Sequence, residues 1–319
     1  MANEIQRSKR VTIKNDNEAI NKDNLKLLQK YDRDMQMREL SPKSIYNYKT
    51  DLMAWFRYLA KEQFNPSVLD VTEDDIEEFL FFCKDEGNNT ERMKRRMSSI
   101  SAFYKFLRRK KLIKENPMEF VPRPKKGLPV VTQTFLTEEQ VKDMIKKLEE
   151  NKDLELYTYA MFSLSTMARV TAISSIRWDQ IDFEERVVED VLEKEGKIVN
   201  LFFSEQVKIL LLKLKEKYKE ENIESPYVFV TKYNGSYNQI STGTLGEWAK
   251  KIGKMIGVES LHPHDFRHSG SQLLSLTGMP IEKISELLNH SGLDVTKNHY
   301  LKQDKKKIKA EKDKYSTLF

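Results

Sequence analysis

Cysteine is nearly absent: Cys83 stands alone in 319 residues, so the chain can hold no internal disulfide. It falls on an apolar helical stripe, where a small buried hydrophobe in a reducing compartment is the simplest reading. No apolar run approaches the ~20 residues that span a bilayer. The opening residues, MANEIQRSKRVTIKNDNE, lack the apolar core of a secretion signal, so a cytoplasmic location is expected. Neither sign of charge dominates. Against 49 Asp and Glu stand 55 Lys and Arg, a formal +6, so local clustering matters more than the sum. No internal repeat or low-complexity segment precedes a lysine-rich end, 301–319. What is plentiful is charge in general, at 33% of residues, and the length suffices for two domains, each with its own core.

Residues 1–20 carry no apolar periodicity and are expected to be flexible. From there to 120 the apolar residues fall at helical spacing in four runs. Leu25, Leu28, Tyr31 and Met35 mark the first. Ser41-Pro42 starts the second, because serine can cap free N–H groups and proline fits the first helical position; its stripe is Ile45, Tyr48, Leu52, Trp55, Phe56 and Leu59. Thr72 opens the third, and the fourth spans about Thr90 to Leu112, ahead of Asn116-Pro117. This predicts a small helical domain over 21–120. Its fourth helix carries Arg92, Lys94, Arg95, Arg96, Lys105 and Arg108 with few acids between them, which suggests phosphate contact.

Residues 121–135 combine three prolines with a glycine and no helical period, and read as a linker. Thr137-x-x-Gln140 resembles a capping box. An apolar helix through Tyr157, Met161, Phe162 and Leu164 leads to Arg169. RVVEDVLEK and KIVNLFF flank a glycine-containing turn and predict a β-hairpin, and YVFV at 227–230 predicts a short extended segment. The fold class expected is therefore mainly α, with a small β-hairpin or sheet in the second domain.

All five histidines fall between His262 and His299. Scattered structural histidines would not cluster so. The spacings His264-x-x-Arg267 and His290 to Tyr300, with Arg169 well upstream, resemble the tyrosine recombinase family of integrases and Xer-type resolvases, and four separated residue types in order make the match specific. The resemblance covers nearly the whole chain. It implies a core-binding, DNA-clamping domain over 21–120 and a catalytic domain over 136–300. Further, it implies a tail, 301–319, exchanged between the protomers of a homo-tetramer on a double-stranded DNA recombination site. No metal or other cofactor is implied, the location would be nucleoid-associated, and accessory DNA-bending or directionality factors belong to the same picture.

The resemblance also assigns roles. Tyr300 would attack the scissile phosphate to give a 3′-phosphotyrosyl intermediate, Arg169 and Arg267 would hold the non-bridging oxygens, and His264 and His290 would assist at the phosphate. Lys194 would protonate the leaving 5′ oxygen, with Lys197 as its rival in the same turn. Two departures from the family pattern surround Arg169. Where the family has Thr-Gly-Leu-Arg-x-x-Glu-Leu, this chain has Thr166-Met167-Ala168-Arg169-Val170-Thr171-Ala172-Ile173, without the glycine and without the glutamate. Asn289 likewise stands for a glycine before His290. The alternatives are a type IB topoisomerase-like enzyme or a non-cutting DNA-binding protein of the same fold. Zinc held by His262, His264 and His268 is disfavoured, because Arg267 would put a cation among the ligands.

Overall fold

The computed structural model describes residues 19–125, 135–193 and 196–289. The chain divides into two units, Met1–Thr132 and Gln133–Phe319, a division that falls inside the proline-containing stretch. Among the described residues no helix is long and apolar enough to cross a membrane.

The first unit contains helices α1 (Lys22–Met37), α2 (Pro42–Glu62), α3 (Glu73–Asp85) and α4 (Thr90–Arg109). Each begins where a short polar side chain accepts an otherwise unpaired N–H: Asn21 from Asp23, Ser41 from Ser44, Thr72 from Asp75, Asn89 from Arg92. The apolar stripes of the four helices then close over Tyr31, Trp55, Phe56, Phe79, Phe103 and Tyr104, all fully buried. Ring centroids lie 5.4 Å apart for Tyr31 and Phe103 and 5.9 Å for Phe56 and Phe103. Taking one such ring out of water contributes about 1.5–3 kcal/mol. Cys83 is in this core, and burial pushes its thiol up to about 11, so it is inert at neutral pH.

Two features differ from the sequence reading. Helix α4 stops at Arg109 rather than Leu112, because Lys111 turns left-handed (φ 57°) and the Leu112 N–H donates back to the Leu107 carbonyl at 3.0 Å. Arg96, expected to face phosphate, is 2% exposed. Its Nε donates to Asn88 at 2.9 Å and its guanidinium lies over the Phe79 ring, so it is a core residue and leaves the set of surface cations. Arg92 and Arg95 fold onto the buried Asp51, Arg95 through both Nε (3.0 Å) and Nη2 (2.9 Å). Lys94 pairs with Glu91. Lys105 and Arg108 are exposed and line, with Arg109 and Arg123, a concavity of about 670 Å³.

The second unit opens with α5 (Glu138–Asn151), entered through the Thr137–Gln140 capping box, and α6 (Leu154–Thr166). Helix α6 is apolar on nearly every side and runs through the core, where Tyr159 meets Phe229 and Phe266 edge-on. A short helix, α7 (Val170–Ser175), leads into an antiparallel sheet ordered β1 (Ile181–Asp182), β2 (Val187–Leu192), β3 (Ile198–Phe202). A bulge between Val188 and Val191, with Asp190 at φ 52°, interrupts the β2–β3 register. After α8 (Glu205–Glu220), the 227–230 run yields only Val230 to a strand; β4 (Val230–Tyr233) pairs with β5 (Ser236–Gln239) around Asn234-Gly235, both at positive φ, a hairpin turn the sequence reading passed over. Helices α9 (Thr242–Met255), α10 (Pro263–Leu276) and α11 (Ile281–Leu287) complete the unit.

One close approach sets the site. A Cβ at Gly270 would stand 2.3 Å from the Leu164 carbonyl oxygen and 2.7 Å from the Met167 side chain, so only glycine lets α10 lie this near α6.

Candidate active site

Pressing α10 onto α6 brings the buried Arg267, one turn before Gly270, against the end of α6. Its Nη1 donates to the Met167 carbonyl at 2.6 Å and its Nη2 to the Leu288 carbonyl at 2.5 Å. Both acceptors are helix-end carbonyls, which carry partial negative charge and have no partner inside their own helices. One guanidinium therefore ties three elements together: α10, the turn before Arg169, and the end of α11 just ahead of Asn289.

Arg169 occupies the cap position of α7 in extended conformation (φ −69°, ψ 144°). Its side chain, 30% exposed, pairs through Nη1 with Oε2 of Glu193, whose side chain is 1% exposed. The anionic partner that a half-buried arginine needs thus comes from the end of β2, not from α7, where Ala172 sits three residues on. The missing glycine also has a physical account. Met167 is left-handed (φ 53°), a conformation costing roughly 1 kcal/mol or more with any Cβ present. Its side chain is buried with Ile284 and Leu288, and that contact offsets the backbone cost.

His264 lies in the first turn of α10. Burial, then the neighbouring Arg267 charge, holds its imidazole below the usual 6.5, and Arg169 is close enough to add to the effect. It is therefore neutral at pH 7, with one nitrogen able to donate and one to accept. Its ring meets that of His268 at 4.8 Å, edge to face. Asp265, 1% exposed, accepts from the His262 backbone N–H at 2.8 Å and pairs with its Nδ1, fixing the start of the helix that carries His264. Ser269 holds the far side, accepting from the Leu136 N–H at 2.8 Å while donating to the Asp265 carbonyl.

The structure thus brings together Arg169, His264 and Arg267 of the six expected catalytic residues. Lys194, His290 and Tyr300 lie outside the described residues, as do His299 and the 301–319 tail. Lys197 is described: its carbonyl accepts from the Glu193 N–H at 2.7 Å across the turn. Sequence reasoning missed Glu193 and Asp265. Asp265 carried a signal, an acid three residues after a helix-capping position. Glu193 carried another, since strand alternation puts it on the core-facing register after Val191, with the apolar Leu192 facing out at 63% exposure.

His268 gives the site a pH signature. Burial, then His264, pushes it down to about 4 from 6.5. Between those values the unfolded chain takes up a proton that the folded chain refuses, so stability falls as pH drops from about 6.5 to about 4 and is unaffected by this group above that window. Urea melts at pH 7 and pH 5 should show a smaller difference for His268→Gln than for the parent protein.

The phage integrase family model matches residues 134–307, more than half of the chain, and the phage integrase N-terminal SAM-like domain matches 28–111. The chain belongs to the phage integrase family. A tyrosine recombinase of Thermosipho africanus is 26% identical over 284 residues, covering 86% of this chain and 94% of the relative. Tyrosine recombinase XerC of Bacillus licheniformis is 28% identical over 241 residues, 71% and 75% of the two chains. The same fold is seen in XerH bound to palindromic difH substrate (TM-score 0.70, 15% identity, 91% of this chain and 84% of that one). It recurs in a lambda integrase dimer bound to a COC′ core site (TM-score 0.69, 18% identity, 86% and 76%). Its activity class is accordingly that of a tyrosine recombinase, the cleavage and rejoining of DNA.

Proposed function

We propose that this protein is a site-specific recombinase that works on a double-stranded DNA site as a homo-tetramer. The convergence of Arg169 with His264 and Arg267, from two stretches about a hundred residues apart, carries this reading. The Tyr300 hydroxyl attacks phosphorus, its proton passes to the neutral His264, and the bond to the 5′ oxygen breaks to leave a 3′-phosphotyrosyl linkage. Arg169 and Arg267, cationic at any working pH, neutralise the developing charge on the non-bridging oxygens, with His290 adding a further hydrogen bond. Lys194 returns a proton to the leaving oxygen. Reversal of the same steps on a new 5′-hydroxyl rejoins the strand, so no outside energy source is needed. The tail, 301–319, docks on the neighbouring protomer and closes the ring.

Trapping tests the reading. A duplex nicked just 3′ of the scissile phosphate loses the short fragment that carries the new 5′-hydroxyl on cleavage, so the wild-type protein should accumulate a covalent adduct at one sequence. Adducts at random positions, with relaxation of any supercoiled plasmid, would make it a topoisomerase; no adduct on a genomic DNA pool would make it a binding protein only. Replacing the 5′ bridging oxygen by sulfur removes the need for a proton donor, so Lys194→Ala should be slow on normal DNA and restored on the sulfur-bridged substrate. Restoration of Lys197→Ala instead moves the role to that residue.

The cations of the first unit should sort by exposure. Each phosphate contact adds about 0.9 to the slope of log affinity against log salt. Arg108→Ala and Lys105→Ala should each lower that slope by about this amount, whereas Arg96→Met, with its charge in the core, should leave it unchanged. Fluorescence anisotropy across a salt series reads both.

A further inference from the structure

Glu193 spends burial on a charge where the fold alone would not. Its side chain is 1% exposed, one carboxylate oxygen pairs with Arg169, and the other, Oε1, is buried with no hydrogen-bond partner among the described residues. The neighbouring Leu192 faces outward at 63% exposure. Hydrophobic burial would choose the reverse arrangement, and an orphaned buried acceptor is a cost that a glutamine or an apolar side chain would reduce. The carboxylate is therefore better explained by what it holds than by what it contributes to the core.

What it holds is Arg169, a long side chain on an extended cap residue, with no side-chain capping bond and no carboxylate at the position three residues on. Glu193 is itself fixed by its N–H to the Lys197 carbonyl, which closes the turn through Gly196 (φ 74°). One residue thus connects the arginine to the hairpin end that carries Lys194 and Lys197.

We propose that Glu193 is a positioning residue, supplying from the hairpin the carboxylate that α7 lacks and setting the Arg169 guanidinium in register with the hairpin turn. The inference rests on the reading of Arg169 as a phosphate ligand. Electrostatics makes it sharp. The pair sums to zero charge, and a carboxylate near a phosphate repels it, so Glu193 opposes DNA binding while it orients the arginine. Glu193→Gln should bind duplex DNA as tightly as the parent or more tightly, and cleave it about 10²-fold more slowly, the loss expected when a reacting partner is misplaced by an ångström or so.

Single-turnover cleavage at saturating DNA decides the matter in a double-mutant cycle with Arg169→Ala. If Glu193 acts through Arg169, the double variant is no slower than Arg169→Ala alone, and Glu193→Asp recovers part of the lost rate. Wild-type cleavage by Glu193→Gln, or a double variant as slow as the product of the two single effects, overturns the proposal. Should Glu193→Gln fail to fold in a urea melt, Glu193→Asp runs the same cycle. A wild-type control that forms no adduct on any DNA overturns the recombinase reading instead. Orientation is then read without activity, from the exchange rate of the Arg169 guanidinium protons by NMR: faster exchange in Glu193→Gln or Glu193→Asp supports the pair, and unchanged exchange overturns it.

Discussion

A Tyr300→Phe protein should bind its duplex within about twofold of the parent and form no covalent adduct, because only the oxygen proposed as nucleophile is lost. Among the described residues, the contacts that hold Arg169 and Arg267 and fix the helix carrying His264 are made within 167–288: the Arg169–Glu193 pair, the Arg267 bonds to Met167 and Leu288, and the Asp265 cap. The proposed phosphate ligands and the exposed cations of α4 should therefore survive the substitution, and binding with them. Adduct yield on a nicked duplex, read on a denaturing gel, should fall to background, a loss of the order of 10⁶ for an enzyme deprived of its nucleophile. His299→Ala should retain most of the yield. Adducts at normal yield in Tyr300→Phe would mean that another side chain attacks.

Arg267→Ala should lose both activity and stability, and Arg169→Ala activity with a smaller loss of stability. In the proposed mechanism each arginine is a charge-assisted donor to transition-state oxygens, and removing one such donor costs about 10²–10³ in rate. Their surroundings differ. Arg267 is 1% exposed and satisfies two buried carbonyls, so truncation orphans both at about 1–3 kcal/mol each and opens a cavity. Arg169 is 30% exposed; its loss takes the cation from the buried Glu193 carboxylate, a cost that solvent entering the gap partly offsets. Urea melts should show Arg267→Ala less stable by about 3 kcal/mol or more, with Arg169→Ala losing less. Arg267→Lys should restore the charge but not the two-carbonyl tie, and so remain unstable. A parent-like melt for Arg267→Ala would remove its structural role.

These contrasts bear on what could be read from sequence. Helix starts were legible at Ser41, Thr72 and Thr137, which announce themselves by local chemistry, and the stripe over Trp55 and Phe56 by period; the caps at Asn21 and Asn89 were not read. Arg169 and Arg267 could be singled out by residue type and spacing. What they touch could not. The Arg267 tie reaches Met167 across 100 residues, and the Arg169 partner arrives from another element altogether. Arg96 was misjudged because a run of cations reads as a solvated face, and only the packing of Phe79 and Asn88 reveals that this one points inward.

Met167 shows how such a site becomes entrenched. In a chain with glycine at this position the turn before Arg169 would be relaxed, and the end of α11 would rest on something else. Here the side chain bears the load instead, lodged among Ile284 and Leu288. Restoring glycine would relieve about 1 kcal/mol of backbone cost and forfeit a buried methionine side chain, a loss of roughly 2–5 kcal/mol when the space is not refilled. The more relaxed residue is thus the worse one in this background. Position 167 is coupled to two residues more than a hundred places away, and glycine there suits only a chain in which those two differ as well.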